Sequence, residues 1–164
     1  MLHIVTGCMF AGKTTELANI YNKYNKTHRV KVIDYDTYDI PINMIYTHDG
    51  TGIPCIKLRV LNTFENDYDI VLINEAQFFY ELKKFVIDAL SRRKIVYLFG
   101  LDGDFKQEKF GEIIDLLPMA DTYVKLYATC KCGAKASFSQ RLSSDRTQYS
   151  PNDTYIPVCR KCLM

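Results

Sequence analysis

Apolar positions follow two alternating rhythms as far as about residue 126, and each rhythm predicts an element. Short runs rich in apolar residues at 2–6, 29–33, 69–73 and 95–99 read as strands, with 55–58 and 124–127 as shorter candidates. Between them, Leu17, Ile20, Tyr21 and Tyr24 recur at helical spacing within 14–24. Leu82, Phe85, Val86, Ala89 and Leu90 mark one face of a second helix over 79–92. Residues 34–52 are polar and tyrosine-rich, with Asp, Thr, Asn, Gly and Pro at turn spacing, and read as a long, mobile loop. Strands alternating with helices predict an α/β fold built on a mostly parallel sheet covered on both faces. Ligands then belong at the carboxyl ends of the strands. Beyond residue 129 the pattern breaks into short, polar, cysteine-bearing pieces, so the chain divides into a main domain over 1–128 and a small lobe over 129–164.

Composition narrows this picture modestly. A chain of 164 residues buries one good core and leaves room for only a small second unit. Its 48% hydrophobic and 24% charged residues fit a soluble globular enzyme and exclude a disordered protein. With 21 basic against 19 acidic residues there is no strong electrostatic pull toward nucleic acid or membrane. Arg92, Arg93 and Lys94 read as solvated charges at a helix end rather than as a binding stripe. No apolar run reaches transmembrane length, and the first strand starts without a basic leader, so a cytoplasmic location is the expectation.

The chemistry starts at Gly7-Cys8-Met9-Phe10-Ala11-Gly12-Lys13-Thr14, a complete G-x-x-x-x-G-K-T phosphate-binding loop between the first strand and the first helix. Backbone N–H groups of such a loop wrap a triphosphate, Lys13 can reach the terminal phosphate, and the Thr14 hydroxyl is placed for Mg²⁺. The helix N-terminus adds its partial positive charge. The expected architecture is therefore of the P-loop NTPase type. At the end of the strand at 69–73 stand Asn74, Glu75 and Gln77. Glu75 there can take a proton from an attacking hydroxyl, hold Mg²⁺ through water, or simply stabilise a helix N-terminus. After the strand at 95–99, a tight turn from Gly100 to Asp104 leads to Phe105 and Phe110, which read either as core or as the walls of a pocket.

Four of the six cysteines form the pairs Cys130/Cys132 and Cys159/Cys162. Four thiolates satisfy tetrahedral Zn²⁺, and a closed four-cysteine site is structural; unpaired core cysteines or a redox pair are the alternatives. Zinc here would tie both ends of a lasso-like loop over 134–158, a segment rich in Ser, Asp, Asn and Thr with little core of its own.

Together the segments GCMFAGKTTE, NEAQFF, GLDGDFKQEKFG, VKLYATCKCGAKASFSQRL and TYIPVCRKC resemble, in order and spacing, the type II thymidine kinases, the small zinc-containing deoxynucleoside kinases. The resemblance implies transfer of the γ-phosphate of ATP to the 5′-hydroxyl of thymidine, with deoxyuridine also accepted, in the salvage route to dTTP. It assigns Glu75 as general base, the loop from Gly7 to Thr14 with Asp36, Asn74 and Gln77 to the ATP–Mg²⁺ side, and zinc to the four cysteines. Met9, Gln77, Phe78, Leu101, Phe105, Phe110 and Ser139 fall around the base, Tyr155 anchors the substrate, and Gln148, Tyr149 and Ser150 lie in the covering loop. A homotetramer and feedback inhibition by dTTP are further implications.

Two features depart from the family pattern. Asn74 stands where relatives usually carry Asp, which shifts the expected Mg²⁺ contacts toward Thr14, the triphosphate and Asp36. The loop from Thr147 to Asn152 lacks the Ile-Gly-Gly element common in relatives. Two rivals remain at this point: a P-loop ATPase whose zinc ribbon binds nucleic acid or a protein partner, and a nucleotide switch without chemistry. The near-neutral charge counts against the first, and Glu75 beside a base-sized aromatic set against the second.

Overall fold

The computed structural model describes residues 1–37, 43–61 and 67–163. Strands β1 (Leu2–Gly7) and β2 (Val30–Tyr35) belong to a six-stranded sheet, whereas β3 (Met44–Tyr46) and β4 (Gly52–Pro54) pair with each other as an antiparallel hairpin outside it. The sheet is completed by β5 (Ile56–Leu58), β6 (Ile70–Ile73), β7 (Ile95–Gly100) and β8 (Thr122–Leu126), in the order β5-β2-β6-β7-β1-β8. Every pairing within it is parallel. All six carboxyl ends therefore point the same way, which places the ends of β1, β2, β6 and β7 side by side.

Alternate residues of the strands feed two cores. Leu2, Ile4, Ile33, Val71, Ile73, Val96 and Leu98 face one layer, formed by helix α2 (Leu82–Ser91) and a 3-10 helix at Ile113–Met119. Val5, Val32, Ile70, Leu72 and Phe99 face the other, formed by helix α1 (Lys13–Tyr24) and the β3–β4 hairpin through Ile45, Ile53 and Cys55. A period of two with both faces apolar is what a sheet covered on both sides demands.

Three elements differ from the sequence expectation. The segment at 34–52 is not one long loop: β2 extends through Tyr35, and the hairpin occupies 44–54, with Asp49-Gly50 at its tip and Ile45 and Ile53 buried. Thr47 fixes that tip, its hydroxyl accepting from Thr51 N–H at 3.0 Å. Residues 38–42, which also fall in the expected loop, lie outside the described residues. The second helix begins at Leu82 rather than 79, because the chain first makes a 3-10 turn (Ala76–Phe78), passes extended through Phe79, and enters the helix from Glu81 at φ 58°. The last sheet strand starts at Thr122 instead of 124, since it pairs with β1 from His3 onward.

The C-terminal lobe is built from two small antiparallel pairs, β9 (Ala128–Thr129) with β10 (Lys135–Ala136) and β11 (Phe138–Arg141) with β12 (Tyr155–Val158), followed by the short helix α3 (Arg160–Leu163). It does not stand apart from the main domain. Cys8 and Ala11 of the phosphate loop share one apolar cluster with Cys130, Ala136, Val158 and Cys159. Among the described residues no helix is long and apolar enough to cross a membrane.

Leu98, fully buried on β7 beneath α2, tests the layering. Leu98→Ala should lower unfolding free energy by about 2–5 kcal/mol, measured by urea denaturation. A loss below about 1 kcal/mol would mean that this face is not packed as described.

Candidate active site

Two cavities open at the carboxyl edge of the sheet, and three residues line both. The smaller, about 240 Å³, is walled by the phosphate loop from Met9 to Thr14 together with His48, Glu75 and Leu101. The larger, about 390 Å³, is lined by Met9, Glu75 and Leu101 again, and by residues that include Tyr35, Asp36, Asn74, Gln77, Phe78 and Tyr149. Glu75 is the carboxylate at their junction.

The loop's shape follows from close approach. A Cβ on Gly7 would lie 2.6 Å from the Leu126 carbonyl oxygen, so no larger residue fits where β1 turns away beside β8. Lys13 Nζ donates to the Gly7 and Cys8 carbonyls at 3.0 and 2.9 Å. Burial pushes its ammonium below the ordinary lysine value, opposed chiefly by attraction to Glu75. A desolvated cation among backbone donors is an environment a polyphosphate compensates. The loop is also held from the lobe: Met9 N–H donates to Ser139 Oγ at 3.0 Å, and Cys8 Sγ to the Ala136 carbonyl at 3.3 Å. Burial raises the Cys8 thiol's pKa, which keeps it protonated for that bond.

Glu75 sits just beyond β6 in left-handed backbone, φ 50°, a conformation uncommon for a non-glycine residue and concentrated at functional sites. Gln77 fixes its carboxylate. The Gln77 side chain accepts from Leu101 N–H at 3.1 Å, which leaves its amide NH₂ to donate to Glu75 Oε2 at 2.6 Å. Gln77 is held tightly itself: a Cβ on Gly111, at φ 63°, would come within 2.2 Å of its carbonyl oxygen. Asn74 donates to Asp34 Oδ1 at 2.7 Å, and Asp34 in turn pairs with Lys57. Asp36 lines the larger cavity at the end of β2, its carboxylate 3.7 Å from Arg59 Nε.

The aromatic residues named from sequence separate into three positions. Phe78 and Tyr149 line the larger cavity, their rings 4.7 Å apart. Phe110 stands behind Phe78, edge-on at 5.2 Å, and Phe105 carries the Arg141 guanidinium 4.2 Å above its ring. Tyr155 lies parallel to Tyr149 at 6.3 Å and, with Ser150, lines a neighbouring depression beside Met9. Ser139 is buried behind the phosphate loop and spends its oxygen on Met9. The Gln148 side chain reaches Asp104 Oδ2 and the Lys109 carbonyl, each at 3.2 Å, linking the covering segment to the turn after β7.

Sequence reasoning passed over Asp34, Lys57, His48 and Arg141. His48 reaches the phosphate cavity because the β3–β4 hairpin folds toward the loop, its ring 6.2 Å from Phe10. The Asp49-Gly50 pair between apolar runs was the available signal for that hairpin. No comparable signal marks Arg141, whose importance lies wholly in what surrounds it.

In the lobe, the sulfurs of Cys130, Cys132, Cys159 and Cys162 lie within 4.8 Å of one another, with Cys132 and Cys159 at 3.6 Å. Tetrahedral zinc with bonds of about 2.3 Å requires sulfur separations near ~3.8 Å, so this set could hold it. Backbone N–H groups of Cys132 and Cys159 lower the Cys130 thiol to about 6, while sharing the locus with three other sulfurs pushes Cys162 up to about 12. One thiolate forms readily and the last resists, a conflict that a dication removes.

Fold and site thus define a phosphate-loop α/β protein with a larger, aromatic-lined cavity next to the cavity at its loop. The comparisons name the family. The profile described as "Thymidine kinase" matches residues 1–163. Thymidine kinase of Oryza sativa subsp. japonica is 38% identical over 175 residues, covering 98% of this chain and 65% of that protein. Thymidine kinase a of Arabidopsis thaliana is 37% identical, covering 98% and 73%. Thymidine kinase of Fowlpox virus is 34% identical, covering 99% and 96%. The chain belongs to the thymidine kinase family, and it spans about two thirds of the rice protein and nearly all of the fowlpox one.

The metal assignment has a direct check. Titration of the reduced, metal-free protein with zinc, followed with a colorimetric competitor, should show one equivalent bound per chain, and Cys162→Ser should weaken binding by about 100-fold or more. Retention of tight stoichiometric zinc by Cys162→Ser would place the site elsewhere.

Proposed function

We propose that this protein transfers the γ-phosphate of ATP to the 5′-hydroxyl of thymidine, with deoxyuridine as a second acceptor, giving dTMP and ADP for nucleotide salvage. The observation that carries the reading is Glu75, a carboxylate in strained backbone where the phosphate cavity meets the aromatic one. The thymine ring enters the larger cavity against Phe78 and Tyr149, which offers the flat faces a base requires. Its sugar then points toward Glu75, and the triphosphate lies along the loop from Met9 to Thr14.

Phosphoryl transfer asks chiefly for positioning and charge compensation. Glu75 takes the proton of the 5′-hydroxyl as that oxygen forms its bond to the γ-phosphorus. The bond from the γ-phosphorus to the β,γ-bridging oxygen breaks, and ADP leaves with the electron pair. Lys13 offsets charge on the phosphate oxygens. Gln77 keeps the Glu75 carboxylate aimed by its 2.6 Å hydrogen bond. Mg²⁺ bound with ATP supplies further charge compensation; the Thr14 hydroxyl would hold it, with Asp36 and Asn74 near enough to the cavity to act through water. Asn74 is a neutral neighbour of Asp34 here, so among the described residues the carboxylates lining the larger cavity are Asp34, Asp36 and Glu75. Zinc on the four cysteines would be structural. Cytoplasmic residence, a homotetramer and inhibition by dTTP complete the proposal from the family resemblance.

Incubation with γ-labelled ATP and a panel of nucleosides tests it: label should appear in the 5′-monophosphates of thymidine and deoxyuridine, and failure with every pyrimidine deoxynucleoside would overturn it. Glu75→Gln should lower kcat by about 10²–10⁴ while a non-hydrolysable ATP analogue still binds. Gln77→Glu would set a second carboxylate against Glu75, raise its pKa, and move the acidic limb of kcat/KM upward by about one pH unit. An unmoved limb would remove Gln77 from its positioning role.

A further inference from the structure

We propose that Arg141 is the positioning residue of the acceptor site: its guanidinium, sealed beneath residues 142–154, holds that segment in the shape that covers the aromatic cavity. This rests on the nucleoside kinase reading for its consequence, though not for its geometry.

Arg141 ends β11 directly opposite Tyr155 on β12, and its side chain has no exposed surface. A buried cation persists only if its donors are satisfied, and here they are satisfied by the segment it lies under. Nη1 donates to the carbonyls of Asp145 at 2.9 Å and Thr147 at 2.6 Å. Nε donates to Tyr155 Oη at 3.0 Å and stands 3.2 Å from Asp153 Oδ2; Nη2 also donates to Tyr155 Oη. That phenol oxygen accepts in addition from Ser150 N–H at 3.1 Å. Arg141 thus fixes the segment directly at 145, 147 and 153, and at 150 through the Tyr155 hydroxyl. The face of the guanidinium lies on the Phe105 ring, tying the whole set to the turn after β7.

The two residues between the pinned Thr147 and Ser150 are Gln148 and Tyr149. Tyr149 forms a wall of the acceptor cavity, and Gln148 closes onto Asp104 and Lys109. Arg141 therefore sets where Tyr149 stands without touching the cavity. Lysine cannot replace it, because two carbonyls, a phenol and a carboxylate arranged around a plane require the fork of a guanidinium. Loss of the fork frees the cover, so the nucleoside binds more weakly while the phosphate loop and Glu75 keep their places.

Steady-state kinetics and hydrogen–deuterium exchange of Arg141→Met, Arg141→Lys and Asp153→Asn test this. Arg141→Met should raise the thymidine KM about tenfold or more, with kcat and the ATP KM within about twofold. Exchange should speed up in peptides from 142–154 and stay unchanged in β1, β6 and β7. Arg141→Lys should recover less than half of the loss, and Asp153→Asn should give a smaller change of the same kind. An unchanged thymidine KM with unchanged loop exchange overturns the proposal, as does a fall in kcat and ATP affinity equal to the loss for thymidine. Should Arg141→Met not fold, Asp153→Asn decides alone, and native exchange at 142–154 in that variant counts against Arg141. If the unmodified protein phosphorylates no nucleoside, the functional reading fails, while the exchange data still judge the pinning.

Discussion

One short strand, β11, braces both substrate-binding segments, and the site depends on it. Ser139 and Arg141 are two residues apart and so share a face, the buried one. Ser139 accepts from Met9 in the phosphate loop, and Arg141 gathers the covering segment. The strand can do this only if it is itself immobile. Its partner β12 runs straight into Cys159, and the cysteine cluster joins that end to Cys130 and Cys132 next to β9 and β10. The cysteine cluster, two of whose members pack with Cys8 and Ala11, thereby joins the ends of the strands that hold both segments.

Between those segments the electrostatics are simple. Lys13 is a desolvated cation held by two backbone carbonyls, and of the surrounding acids Glu75 attracts it most strongly. Gln77 orients the Glu75 carboxylate through its amide hydrogen bond while contributing no charge. The acids on the β2 side are partly spoken for: Asp34 by Lys57 and Asn74, Asp36 by the neighbouring Arg59. The charge arrangement sets the Lys13 cation on one side of Glu75 and the partnered acids of β2 on the other.

How much of this was legible in the chain depended on the range of the signal. The phosphate loop, the parallel sheet and the cysteine pairs were readable because each is a local pattern with a mechanism attached. Glu75 was readable because a strand end adjoining a phosphate loop has few places to point. The β3–β4 hairpin was missed because its strands are three residues long and its tyrosines and threonines look like loop. The start of α2 was misplaced because Phe78 and Phe79 continue the apolar run while the backbone serves the site instead. Arg141 could not be weighed from sequence, since a buried arginine and an exposed one are spelled alike, and Ser139, expected beside the base, instead accepts from Met9 behind the phosphate loop. Their roles arise from contacts with residues 4 to 14 positions away, and with Met9 at the other end of the chain.

Through Ser139 and Arg141 the cysteine lobe supports the phosphate loop as well as segment 142–154. Calorimetric titration of a non-hydrolysable ATP analogue and of thymidine into zinc-loaded and zinc-stripped protein tests it most directly. Stripping should weaken both ligands together, by about tenfold or more each. Undiminished affinity for the ATP analogue, with only thymidine lost, would show that the phosphate loop stands without the lobe and would contradict it.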